Sequence, residues 1–211
     1  MNSRHPNITV GFITRERYSL AAKSLQSLYK NTTIPFRLLI VDGQIPERYR
    51  RKITNVLRDK PNVTYIRRDR FLYPNEAKNL VFENTQDEYI CFLENDCLVS
   101  EGWLANLINA CEAFPAMVAS PILFEGPMKR KKIHHAWKLG SILKEPDAEK
   151  HKIKLTPHRG APSSWLIKTD PFKVDFIEGH CVLYHREALK NIYPLKPDLN
   201  IDEFVDNALT F

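Results

Sequence analysis

The chain has 211 residues, 43% hydrophobic and 27% charged, with 31 Lys and Arg against 25 Asp and Glu and a formal net charge of +6. This is an ordinary globular composition, long enough to bury a sizeable core. No apolar run approaches a membrane span, and "MNSRHPNITVGFIT" lacks a secretory apolar core. The expectation is therefore a cytoplasmic protein, at most peripheral at a membrane.

Apolar runs alternate with helical patterns along the first part of the chain. "NITVGFIT" (7–14) is a short β-branched stretch, the signature of a buried strand. "SLAAKSLQSLYKN" (19–31) has helical spacing with Ser19 as its N-cap. "FRLLIVDG" (36–43) is a second strand. "PERYRRKITNVLRD" (46–59) is a basic helix opened by Pro46. "NVTYIRR" (62–68), "EYICFLEND" (88–96) and "AMVASPILF" (116–124) are further strands, separated by helices over 74–85 and 101–114. This alternation predicts an α/β fold, an open and mainly parallel sheet with helices on both faces, in which ligands bind beyond the carboxyl ends of the strands.

The second part changes character. Residues 125–173 are rich in Pro, Lys and His with weak periodicity, which predicts irregular structure or a hairpin. "KVDFIEGHCVLYHREALKNI" (173–192) then gives strand, turn, strand and helix, and "NIDEFVDNALTF" (200–211) opens a last helix. We divide the chain into residues 1–124, a regular α/β half, and 125–211, an irregular portion of the same domain.

Cys91, Cys97, Cys111 and Cys181 show no CxxC spacing, which argues against a zinc cluster or disulfide framework. Basic runs at 48–52, 67–70 and 129–132 suit anionic ligands, or simply form a solvated surface. No aromatic and basic interleaving points to nucleic acid. The glycine-rich phosphate loops of dinucleotide-binding and P-loop proteins are absent, so phosphate would be held by basic residues and a metal. "END" offers that metal site: in an extended segment Glu94 and Asp96 share one side, and hard divalent cations take one or two carboxylates plus substrate oxygens. The plainer reading is a strand with an acidic tail.

Four blocks in order resemble the family 2 glycosyltransferases, which have the GT-A fold of nucleotide-diphospho-sugar transferases: "ITVGFITRERYSLAAKSLQSL", "LLIVDG", "PNEAKNLVFENTQDEYICFLENDCLVSEGWLANLI" and "VDFIEGHCVLYHREAL". The resemblance implies transfer of a sugar from a UDP- or GDP-type donor to a hydroxyl of a glycan, lipid-linked or other acceptor, with inversion and with Mn²⁺ or Mg²⁺. It places Thr14, Arg15, Arg17 and Asp42 near the nucleotide, with Lys78, Asn79 and Asn95 beside them; Lys78 stands where the family has Arg. Asp96 and Glu94 match the ends of the family's DxD, Glu94 being a departure, and His180 is a further candidate ligand. Asp206 is the candidate base, with Asp202 and Glu203 as rivals. His134, His135, Trp137 and Trp165 are candidates to complete the site or stack on a sugar.

Two other classes stay open. A sugar nucleotidyltransferase would carry a glycine-rich loop where this chain has "TRERYS". A catalytically inactive relative, acting as a binding or scaffolding module, would account for the departures at Glu94, Lys78 and Val205. The chain stops where the family continues, so the expectation is either a fragment of a longer protein or a minimal enzyme whose acceptor site is completed by a partner.

Overall fold

The computed structural model describes residues 6–114, 116–126, 132–135, 140–143, 152–155, 177 and 179–196. The β-branched runs of the first part become β1 (Ile8–Ile13), β2 (Arg37–Gly43), β3 (Val63–Arg68) and β4 (Tyr89–Glu94). Between and after them run α1 (Ala21–Asn31), α2 (Glu47–Leu57), α3 (Pro74–Glu83) and α4 (Trp103–Ala113). Two short strands, β5 (Val118–Ala119) and β6 (Leu123–Glu125), replace the single expected one; Pro121, which has no amide hydrogen to give to a ladder, lies in the gap between them. β6 pairs antiparallel with β7 (Lys132–His135), and β8 (Gly140–Leu143) with β9 (Lys152–Leu155). β10 (Cys181–His185) and α5 (Arg186–Ile192) complete the described elements.

The main sheet has the order β3-β2-β1-β4-β10-β5. β3, β2, β1 and β4 are parallel, while β10 runs antiparallel to both of its neighbours. The chain steps outward from β1 to β3 and then jumps back across β1 to β4. The carboxyl ends of β1 and β4 thus lie side by side at the switch point, where open sheets of this kind bind ligands. Because β10 is antiparallel, its first residue also sits at that edge, with Cys181 opposite Leu93. β5 runs the other way and leaves the sheet at the same edge, where the Ser120 hydroxyl donates to the Cys181 carbonyl at 3.1 Å.

Strand alternation sorts the core into two layers. Val10, Phe12, Leu38, Ile40, Cys91 and Leu93 pack with Leu25, Leu28, Ile53 and Leu104 of α1, α2 and α4. Ile13, Leu39, Val41, Ile90 and Phe92 face Ala77, Val81 and Phe82 of α3 and Leu189 of α5. Burying each such side chain contributes roughly 1.5–3 kcal/mol before the entropy of ordering is counted. Helix α3 lies close over β1 because Gly11 leaves room: a Cβ there would sit 2.8 Å from a Val81 methyl.

The helix starts differ from the expectation in one place. Ser19 is not an N-cap; it lies inside a 3₁₀ turn, Tyr18–Leu20, which leads directly into α1. Arg17 opens that turn in the left-handed region, at φ 54° and ψ 35°. His185 caps α5, its Nδ1 accepting from the Glu187 amide at 3.3 Å.

Past α5 the chain doubles back along α3. The Tyr193 hydroxyl donates to Glu83 at 2.7 Å, and Asn79 bonds both to the carbonyl of Leu195, at 2.8 Å, and to its amide, at 2.9 Å. Asn75 donates to the Lys196 carbonyl at 2.8 Å. Residues 83, 79 and 75 are spaced by four and share one helix face. The strap therefore runs towards the N-terminus of α3, which is the ligand edge of the sheet.

Candidate active site

The loop after β1 and the turn after β4 form the floor of the site. Thr14 is buried and its hydroxyl donates to the Val41 carbonyl at 2.6 Å, joining the ends of β1 and β2. Asn95, only 2% exposed, ties the other side. Its Oδ1 accepts from the Arg15 amide at 3.2 Å, its Nδ2 donates to the Glu16 carbonyl at 2.8 Å, and its backbone amide donates to Ile13 at 3.1 Å. All of its observed contacts are with the protein's own backbone. It positions the loop rather than reaching outward.

Asp42 is fully buried. One oxygen accepts from the Ile45 amide at 2.7 Å, closing the turn after β2, and the other from the Tyr65 hydroxyl at 2.8 Å. Burial, then this bond to a carboxylate, pushes the Tyr65 phenol above its ordinary value. Sequence reasoning missed Tyr65, which sits on the neighbouring strand with no local signal. Gly43 admits the chain returning from β3: a Cβ there would meet the Leu72 amide nitrogen at 2.8 Å.

The two acidic ends of "END" do not lie in an extended segment. The Cys97 amide bonds to the Glu94 carbonyl at 3.1 Å, so Asn95 and Asp96 occupy a turn. The same-side rule for extended residues therefore does not apply, and each carboxylate meets its own arginine. Arg15 Nη1 reaches Glu94 Oε1 at 3.1 Å, and Arg17 Nη1 reaches Asp96 Oδ2 at 2.7 Å. This bond, before the plain Coulomb attraction of Asp96, raises the Arg17 pKa further. His180 joins from the start of β10, its Nε2 3.5 Å from Glu94 Oε2. The β6–β7 hairpin lays His134 edge-on against His180, with ring centroids 5.1 Å apart, and Glu125 holds His134 Nδ1 at 3.1 Å.

Lys78 reaches this edge from α3. Its Nζ lies 5.8 Å from the Phe92 ring centroid and 3.7 Å from where a Cβ on Gly179 would be. Asn79, next to it, points at Leu195 instead, and its amide is engaged there at both ends. Asp202, Glu203, Asp206, Trp137 and Trp165 lie outside the described residues. Among the described residues no three His, Cys, Asp or Glu side chains converge on one point as a metal cage. The carboxylates of Glu94 and Asp96 are nevertheless donors that Mn²⁺ or Mg²⁺ accepts, and such ions often keep most of their shell for water and substrate oxygens.

A glycosyl transferase family 2 model matches residues 9–193, nearly the whole of this framework. The chain belongs to that family. As a family 2 glycosyltransferase domain it shares its GT-A fold with solved structures of low sequence identity. TarS 1-349 from S. aureus in complex with UDP is 17% identical, with a TM-score of 0.63 over 96% of this chain and 54% of that one. The mannosyltransferase PcManGT from Pyrobaculum calidifontis, in complex with GDP-Man and Mn²⁺, is 14% identical, with a TM-score of 0.59 over 99% and 51%. GalNAc-T7 with UDP, GalNAc and Mn²⁺ is 16% identical, with a TM-score of 0.64 over 96% and 40%. The chain thus spans about half the length of these proteins. No curated protein gives a significant match. No helix among the described residues is long and apolar enough to cross a membrane.

Proposed function

We propose that this domain transfers a sugar from a UDP- or GDP-linked donor to an acceptor hydroxyl, with inversion at the anomeric carbon. The observation that carries the reading is the convergence of Thr14, Arg15, Arg17, Asp42, Glu94, Asp96 and His180 at the switch-point edge of a family 2 fold. Solved relatives of this fold hold UDP, UDP-GlcNAc or GDP-Man, two of them with Mn²⁺.

In this reading Asp96 would hold Mn²⁺ or Mg²⁺, with Glu94 and His180 as neighbours. The bound ion supplies positive charge opposite the leaving diphosphate. The remaining work falls to the chain. Arg15, Arg17 and Lys78 stabilise the charge that develops on the diphosphate oxygens. The buried Asp42 turn shapes the floor under the nucleoside, and Asn95 keeps the loop and turn in register. A carboxylate from the segment after Lys196, best Asp206 with Asp202 and Glu203 as rivals, takes the acceptor proton as the oxygen attacks. The strap of Tyr193, Leu195 and Lys196 runs along α3 towards its N-terminus, which supports a base drawn from the residues that follow it. The acceptor would lie against residues 125–185.

The test is a thermal-shift screen with UDP and GDP, each with and without Mn²⁺ or Mg²⁺, repeated on Asp96→Ala and Asp206→Ala. The expected result is metal-dependent stabilisation by one nucleotide, lost in Asp96→Ala, and turnover lost in both variants. No stabilisation by any nucleoside diphosphate sinks the donor site. Metal-dependent binding with neither donor hydrolysis nor transfer would make the domain a binding module.

A further inference from the structure

The two arginine–carboxylate pairs on the site floor differ in a way that assigns them different tasks. Arg15 and Glu94 are sheltered, with side chains 32% and 11% exposed, and Glu94 has His180 as a second neighbour. Arg17 is 66% exposed, and its bond to the 14%-exposed Asp96 uses one guanidinium nitrogen. An exposed, single-point ion pair contributes little net stability, so it exchanges easily. The sheltered pair resists exchange, because opening it leaves a desolvated charge alone.

Arg17 is also held in an uncommon backbone state. Its φ of 54° places a non-glycine residue in the left-handed region, where a side chain is strained. Such strain persists only where the surroundings impose it. Here Asn95 fixes the preceding two residues to the β4 turn. On the other side, the Leu20 amide bonds to the Arg17 carbonyl at 3.0 Å and fixes the 3₁₀ turn. The backbone is therefore committed to aiming this one side chain across the gap at Asp96.

We propose that Arg17 is an exchangeable counter-charge: it neutralises Asp96 in the ligand-free protein, yields Asp96 to a divalent cation, and transfers its guanidinium to the donor's diphosphate. The inference rests on the donor-site reading above and adds an order to it. An arginine fork has five N–H donors and pairs with phosphate at two points, so the second contact is stronger than the one it leaves. Without donor, Arg17 keeps Asp96 from standing uncompensated beside Glu94 and competes with free metal. With donor, the same charge moves to where negative charge develops. Metal alone should accordingly bind poorly, and metal with nucleotide well.

The test measures two affinities in each protein: Mn²⁺ alone, from the free-ion EPR signal, and UDP or GDP in saturating Mn²⁺, by calorimetry. Arg17→Gln removes the charge at similar length. It should tighten Mn²⁺ alone by about two- to fivefold, the loss of one exposed competing pair. It should weaken the nucleotide at least fivefold. Arg17→Gly, which accepts φ 54° without strain, should give the same opposite shifts and remains usable if the Gln variant folds poorly. A residue that merely shaped the loop would lower both affinities together. That outcome, or an unchanged Mn²⁺ affinity in both variants, overturns the exchange while leaving the donor site standing. If Asp96→Ala binds Mn²⁺ as the wild type does, the assignment of Asp96 fails and the exchange falls with it.

Discussion

Asn79 grips the backbone of Leu195 from both sides, donating to its carbonyl at 2.8 Å and accepting from its amide at 2.9 Å. The resemblance to family 2 places this residue beside the nucleotide. Its amide is instead engaged with the strap. Replacing it with Leu leaves two backbone groups without partners, at a cost of about 1–2 kcal/mol. Asn79→Leu should speed hydrogen exchange at the Leu195 amide and lower kcat, with donor KM little changed. A raised donor KM at unchanged kcat would show that Asn79 touches the donor.

Tyr65 and Asp42 predict an alkaline limit to stability. The Tyr65 phenol is held above its ordinary value by burial and by its bond to Asp42. The folded protein therefore keeps this proton at pH values where the unfolded chain has lost it. Its contribution is complete below about pH 10, the unfolded value, and declines as pH rises beyond it. Tyr65→Phe should flatten the fall in thermal stability between about pH 9.5 and 11 relative to wild type. Tyr29, pushed up to about 12 by burial alone, adds a slope that the variant keeps.

Glu76 acts in the opposite direction. Arg70 grips its carboxylate at 2.6 Å, and the Tyr73 amide donates to it at 2.9 Å. The Arg70 bond is the largest cause holding its pKa below the ordinary value. Stability from this group is present above about pH 4.5, the unfolded value, and is lost as pH falls through the depressed folded value. Glu76→Gln should cost up to about 1 kcal/mol at neutral pH, by weakening the start of α3, and should remove part of the acid sensitivity. Melting curves from about pH 3 to 7 measure both effects.

The glycines at positions 11 and 43 should fail in order. At Gly11 an added methyl meets Val81 side-chain atoms, which can shift slightly, and the loss should be about 1–3 kcal/mol. At Gly43 the obstacle is the Leu72 backbone nitrogen at 2.8 Å, which cannot rotate away. Gly43→Ala should be the more damaging by chemical denaturation, and it should also weaken nucleotide binding, because the Asp42 turn moves with it.

How much of this was legible in the sequence depends on range. The runs of Ile, Val, Leu and Phe in β1, β2 and β4 announced buried strands, because strands covered on both faces need continuous apolar residues. The order of the blocks announced the family. The direction of β10 was not legible: "CVLYH" reads the same whether its neighbour runs with it or against it, and the direction is set by where the chain has been. The site shows the same divide. Glu94 and Asp96 could be picked out by type, but their partners Arg15 and Arg17 lie 79 positions away. Asn79 and Leu195 are 116 positions apart. The turn at 94–97 also undid the extended-chain premise, since local alternation ends where the strand does.

The antiparallel placement of β10 has a further consequence. The chain leaves the main sheet after Ala119 and re-enters it at Cys181, and both points lie on the ligand edge, joined by the Ser120–Cys181 bond. The chain therefore leaves and re-enters the main sheet close together on the rim. Exchanging the intervening residues for a segment of another length would leave every pairing among β1, β2, β3 and β4 untouched. If residues 125–185 face the acceptor, as proposed, acceptor choice becomes exchangeable as a cassette.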